Sequence, residues 1–233
     1  MLRQAMLSVA GQIYRHIEHL IVEDGGNEAE AVVRGFGNPG YPVHYLPQAK
    51  IGRSRAGNCG LEAAAGELVV FLDDDDLLFA DHIETLVAAL AADPGAVAAY
   101  SLAWDVPTTM RDRAAGQCEE GEFIHHDFMA REVDFAALLV QNYFPMQSVL
   151  FRRDLFLTRG GLDPTLDALE NWDLWLRYVR GNRFAYVPKT TSLYRTPAGA
   201  AAAAKRTHIL DKAYHRVRDA ALTAASGDPP SLG

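Results

Sequence analysis

Apolar residues recur at spacings of three and four over Leu2, Met6, Val9, Ile13 and Ile17, the stripe of an amphipathic helix across residues 2–17. Short apolar runs bounded by acidic and glycine residues follow. His19–Val22 reads as a buried strand closed by Glu-Asp-Gly-Gly, and Val43–Leu46 as a second extended piece. A basic, glycine-bearing loop, Lys50–Arg55, leads to a helix over Asn58–Ala65 that Gly66 stops. Leu68–Leu72 is the clearest strand, a continuous apolar run that meets four consecutive aspartates, Asp73–Asp76.

Downstream, Asp81–Ala92 predicts an acid-capped helix stopped by Asp93-Pro94-Gly95, and Ala96–Leu102 another strand. Residues 107–131 are polar and aperiodic, the pattern of a surface excursion beside a site. Phe135–Val140 predicts a helix, Ser148–Phe151 a strand, Asp154–Thr158 a helical turn and Leu169–Val179 a helix carrying Leu169, Trp172, Leu176 and Val179 on one side. Phe184–Val187 and Thr191–Tyr194 read as short extended pieces, Ala198–Ala225 as an alanine-rich helix, and the last eight residues as a frayed tail. Strands alternating with helices imply an α/β mixed sheet with helices on both faces. The order divides into a core domain, residues 1–196, and a C-terminal helix and tail, residues 197–233.

The composition is 49% hydrophobic, 22% charged and 9% aromatic over 233 residues, which suits a globular core and not a disordered or fibrous chain. No apolar run approaches the roughly 18 to 20 residues of a membrane span, and the N-terminus has no continuous signal-peptide core, so a cytoplasmic setting is expected. Two cysteines, Cys59 and Cys118, exclude a disulfide framework and a cysteine-built zinc site. A net charge of -8 argues against nucleic-acid binding, and an anionic substrate would need a bridging cation.

The aspartates supply that possibility. Four carboxylates at the end of a buried strand repel one another unless a cation is present. In open α/β sheets the ligand crevice lies beyond the carboxyl ends of the strands. If the segment stays extended, Asp73 and Asp75 point one way and Asp74 the other, so the first two can face one ion while Asp76 caps the next turn. Carboxylate oxygens suit Mg2+ or Mn2+. The plain alternative is a solvated acidic turn.

The succession LIVEDGG, then GRSRAGNCGLEAAAGELVVFLDDDDLL, then SVLFRRDLFLTRGGLDPTLDALENWDLWLRYV resembles family 2 glycosyltransferases of the GT-A fold over roughly residues 1–196. The resemblance implies an inverting, metal-dependent transfer of a sugar from a nucleotide-diphosphate donor to an acceptor hydroxyl. The acceptor would belong to a glycan, lipid or protein pathway such as polysaccharide biosynthesis. It implies that Asp24 contacts the nucleotide base, Asp73 lies near the nucleotide sugar, Asp75 holds the metal, and Asn58 belongs to the binding helix. The family often has arginine directly before that asparagine. Gly57 stands there, and Arg55 is the candidate to substitute, with a plain exposed loop as the alternative for Arg53 and Arg55.

The base of such enzymes is usually the second acid of a Glu-Asp pair, and the matching residue is Asn171, which cannot take a proton. Glu170 is the first candidate and Asp173 the second, since Arg177 four residues on pairs naturally with Asp173. Loss of activity is the third reading, making the chain a sugar-nucleotide or partner-binding domain, and nucleotidyl transfer is a further enzyme class sharing the metal logic. Trp172 reads as core, whereas Trp175, off the stripe, is a candidate to stack on a sugar. His125, His126, His208 and His215 read as solvated or capping, and Tyr194-Arg195 resembles a late family element. The final helix could pack on the domain, pair with another subunit or lie peripherally on a membrane. The resemblance also implies a central strand ahead of the first helix. A sheet lacking it would be left with a gap, and weak nucleotide binding is expected of the chain as it stands.

Overall fold

The computed structural model describes residues 1–112, 115–166 and 168–226. The expected tail at residues 226–233 therefore lies, apart from its first residue, outside the described residues. The opening helix, α1 (Leu2–Ala10), is shorter than its apolar stripe suggests. Gln12 replaces the next turn: its amide donates to the carbonyls of Ser8 and Phe79, and its oxygen accepts from the Ile83 amide. Then come β1 (His19–Asp24), α2 (Glu28–Arg34), β2 (Val43–Gln48), α3 (Arg53–Ala63), β3 (Leu68–Val70), β4 (Leu77–Leu78) and α4 (His82–Ala92). The second half comprises β5 (Ala96–Asp112), β6 (Gln117–Glu120), α5 (Phe135–Val140), β7 (Val149–Arg152), α6 (Asp154–Arg159), α7 (Glu170–Val179), β8 (Arg183–Pro197) and α8 (Ala200–Ser226).

Six strands form the main sheet in the order β3-β7-β5-β8-β4, with β6 paired to β5. The β5–β8 ladder is parallel and β7 is antiparallel to both its neighbours, so the sheet is mixed. Alternation along β7 sends Val149 and Phe151 into a core built with α5, α7 and α8, and Leu150 into a second core under α1 and α4. Helices therefore cover both faces, as the sequence implied. The C-terminal helix packs on the domain: Tyr214 stacks on Trp172 at 5.1 Å between ring centroids, its hydroxyl donates to the Val140 carbonyl, and Val217 is buried. Among the described residues no helix is long and apolar enough to cross a membrane.

Three sequence expectations change. The polar excursion is in large part a hairpin, because β5 runs on to Asp112 against both β8 and β6. The two extended pieces near residue 190 are one strand of 15 residues, β8, whose ladder with β5 absorbs register irregularities at Ser101 and Leu102. Helix α2 was not foreseen; its local signals are the Glu30–Arg34 ion pair at 2.6 Å and the closing Gly35.

Strands β1 and β2 form a separate parallel pair, and no ladder joins β1 to β3 among the described residues. A cavity of about 1150 Å³ lies between them, lined by Leu20, Val22, Leu68 and Val70. Contacts at its two ends fix β1 to the segment before β3 and to the loop before α3. The Glu18 carboxylate accepts from the amides of Ala65 and Gly66 at 2.7 Å each, and at the opposite end Asp24 accepts from Ile51 and Gly52 at 2.7 and 2.9 Å.

Two histidines are held neutral by this packing. Burial pushes His19, at the start of β1, and His82, whose Nδ1 meets the Thr191 hydroxyl at 2.7 Å, each down to about 4. In the unfolded chain an imidazole titrates near 6.5, so between there and pH 4 the unfolded state binds protons that the native state refuses. Stability from these groups is present above pH 6.5 and lost as pH falls, at about 1.4 kcal/mol per pH unit for each histidine. Urea midpoints followed from pH 7 to 4.5 should drop accordingly, and a His82→Phe variant should lose about one proton of that slope. An unchanged slope in the variant would mean that His82 titrates normally in the folded protein.

Candidate active site

The acids leave β3 in a turn rather than an extended run: the Asp76 amide donates to the Asp73 carbonyl at 3.1 Å. The alternation argument therefore fails, yet its outcome partly survives. Asp73 and Asp75, with Asp76, line a cavity of about 1250 Å³, whereas Asp74 lines only the cavity beside β1, which Asp73 also borders. Asp76 does not cap the next turn. It is buried and accepts from the Arg195 amide at 3.0 Å, and burial, followed by the charge of Asp73, pushes its carboxyl well above the usual range. From β8 the Arg195 guanidinium, 5% exposed, donates to the Asp75 carbonyl and to Glu120 at 2.5 Å. The Tyr-Arg element thus grips the acidic turn from behind.

Across the cavity stands the first turn of α7. Leu169 precedes it at φ 62°, a left-handed conformation a leucine rarely adopts, and Glu170 follows with its side chain 11% exposed. The third contributor is α3. It begins at Arg53, not Asn58, so half of the expected basic loop is helical. Arg53 donates from Nη2 to Asp73 at 2.5 Å and from Nε to Glu170 at 2.9 Å, joining the two acids through one guanidinium. Both acids and the surrounding charges of Asp76 outweigh desolvation and raise the Arg53 pKa further. The sequence suggests for Arg53 a diphosphate grip or a plain exposed loop, and neither foresees this bridge. The signal that could have found this bridge is its position directly after Gly52, whose φ of 95° permits the sharp entry into the helix.

The other expected site residues are placed as follows. Asp24 lines the cavity beside β1, with one oxygen holding the Ile51 and Gly52 amides. Asn58 is engaged elsewhere: its amide donates to the Leu162 carbonyl at 2.9 Å and its oxygen accepts from the Leu162 amide at 2.8 Å, clamping α3 to the segment before α7. Arg55 borders the cavity that holds Asp73 and Asp75. Asp173 is bound by Arg177 through Nε and Nη2 at 3.0 and 2.7 Å, and Arg177 in turn donates to the carbonyls of Arg159 and Gly161. The pair expected from the spacing is present, and it occupies Asp173. Trp172 is core, its indole donating to the Leu138 carbonyl at 2.7 Å. Trp175 is not available to a sugar. It is fully buried between Phe151 and Tyr178, because the buried surface of α7 extends beyond the stripe read from the sequence.

The donor set can be compared with what a divalent cation requires. Among the described residues no three or more His, Cys, Asp or Glu side chains converge into a cation cage. Asp73 and Asp75 nevertheless share one cavity, and Asp73 already binds a cation, the Arg53 guanidinium. Two carboxylates with phosphate oxygens and water completing the shell is an arrangement that Mg2+ commonly takes. To that extent the residues present fit such an ion.

The mixed sheet thus carries, at the end of β3, acids that share a cavity with an acid from α7. The family profile "Glycosyl transferase family 2" matches residues 1–155, and the chain belongs to that family. It is 35% identical over 86 residues to the glycosyltransferase GlyA of Streptococcus pneumoniae, covering 36% of this chain and 12% of that protein. It is 31% identical over 163 residues to the glucosyl-dolichyl phosphate glucuronosyltransferase of Haloferax volcanii, covering 67% of this chain and 49% of the relative. Such matches span from 12% to 57% of the curated relatives' lengths. Among solved structures, Staphylococcus aureus TarS 1–349 in complex with UDP superposes with a TM-score of 0.66 at 16% identity, over 84% of this chain and 56% of that one. The mannosyltransferase PcManGT of Pyrobaculum calidifontis, in complex with GDP-Man and Mn2+, superposes at 0.62 with 19% identity, over 98% of this chain and 72% of that one. The two superpositions establish the GT-A fold for this chain.

The Asn58 clamp joins residues 104 apart in sequence. An Asn58→Ala variant loses two hydrogen bonds and leaves the Leu162 backbone groups half-buried without partners, which should cost about 2 kcal/mol. Urea denaturation would register this as a lower midpoint with an unchanged m-value.

Proposed function

We propose that the chain transfers a sugar from a nucleotide-diphosphate donor to an acceptor hydroxyl, with inversion at the anomeric carbon and with a divalent cation. The observation that carries this reading is the pairing of the Asp73–Asp75 turn with Glu170 across one cavity. When bound on Asp73 and Asp75, Mg2+ or Mn2+ would neutralise the charge that develops on the departing diphosphate. Asp76 and Arg195 fix the turn that presents those two carboxylates. Glu170 is the base: its position at the cavity wall suits acceptance of the proton from the acceptor hydroxyl, whereas Asp173 is committed to Arg177. Asp24, Asn58 and Arg55 are assigned to the donor side, the first two by shaping the loop and helix that border it.

The solved neighbours in complex with UDP, UDP-GlcNAc and GDP-Man support a nucleotide-sugar donor. The acceptor is assigned to the glycan, lipid or protein class. Two unpaired cysteines, Cys59 and Cys118, are in keeping with a cytoplasmic setting. A non-catalytic sugar-nucleotide-binding role is the second reading, favoured by Asn171 in the place of the usual base.

Release of nucleoside diphosphate from a panel of sugar nucleotides separates the two. Turnover is expected with at least one donor in the presence of Mn2+, lost in Asp75→Ala and lowered about 100-fold or more in Glu170→Gln. Unchanged turnover in Asp75→Ala would remove the metal assignment. Donor binding without turnover by the native chain would favour the second reading.

A further inference from the structure

Arg53 occupies an unusual place for a cation in a site meant to receive another. Its backbone is fixed from one side, since the preceding Gly52 donates its amide to Asp24 at the end of β1. Its side chain reaches the mouth of the cavity and is 60% exposed, while the two acids it joins lie deeper, Asp73 at 35% and Glu170 at 11%. The Arg53 side chain is therefore the most exposed of the three. Arg195 in the same cavity is engaged by the Asp75 carbonyl and the Glu120 carboxylate, and Arg53 is the partner that Asp73 and Glu170 share.

Resting on the glycosyl-transfer reading, we propose that Arg53 is a donor-operated latch: it holds Asp73 and Glu170 together in the free protein, and moves to the diphosphate when the cation-bound donor enters. The exchange follows from charge. A divalent cation on Asp73 and Asp75 repels a guanidinium at Asp73, and a diphosphate offers that guanidinium a bidentate anionic partner in the same cavity. Departure of Arg53 also uncovers Glu170, whose oxygen is then free to meet the acceptor hydroxyl. The base thus stays covered while no donor is present.

The latch makes two opposite demands of one side chain. In the protein alone Arg53 competes with the cation for Asp73; in the complex it assists the nucleotide. Calorimetry with Mn2+ alone should therefore show about 5-fold tighter binding to Arg53→Gln than to the native chain, the size expected for loss of a half-exposed ion pair. UDP and GDP, titrated in the presence of saturating Mn2+, should bind the same variant about 10-fold more weakly where they bind the native chain. Arg53→Lys should restore part of the nucleotide affinity. Arg34→Gln, which removes an exposed cation paired with Glu30, controls for net charge and should move neither measurement. Unchanged or weaker Mn2+ binding in a folded Arg53→Gln, judged by its thermal midpoint, would overturn the latch. Failure of the glycosyl-transfer reading shows separately, as absence of turnover by the native chain.

Discussion

Carboxylates crowded into one turn must find cations, and that requirement organises the site. Asp73–Asp76 follow a strand only three residues long, and two arginines from distant elements converge on them. Arg195 arrives from β8 with its side chain almost wholly covered, and Arg53 arrives from α3 with its side chain 60% exposed. The first is a fixture of the turn, because its backbone amide holds the Asp76 carboxylate and its guanidinium holds the Asp75 carbonyl and Glu120. The second is exchangeable, because water can replace it. The difference in cover separates the structural cation from the functional one.

The same division runs through α7. Its apolar residues, Trp172, Leu174, Trp175, Leu176 and Tyr178, are fully buried and hold the helix rigidly against the sheet and α8. Its first turn projects Glu170 from a left-handed Leu169, so the one positive-φ non-glycine position among the described residues sits next to the acid that α7 contributes to the cavity. Rigid support behind a locally strained residue is an economical way to aim a carboxylate, since the packing of five large side chains offsets a strain of about 1–3 kcal/mol.

Most of the architecture was legible in the chain because its signals were local. The apolar run before Asp73, the Gly66 stop and the Glu-Asp-Gly-Gly turn marked strands and helices close to where they lie. The Asp173–Arg177 pair followed from spacing alone. What escaped depended on partners far along the chain. Strand β5 runs past Leu102 because β8 supplies a ladder, and nothing within residues 107–112 announces it. The Asn58 amide is spent on Leu162, and Trp175 is buried by Phe151 from β7, contacts that no periodicity encodes. The acidic turn was right in composition and wrong in shape, since four aspartates give no sign of the Asp76-to-Asp73 hydrogen bond.

The seating of β1 bears on the acids at one remove. Its middle packs on α3, where Val22 meets Gly60, and its last residue, Asp24, accepts from the amides of Ile51 and Gly52. Gly52 is the residue from which α3 starts, so the end of β1 sets the starting point of the helix whose first residue, Arg53, joins Asp73 to Glu170.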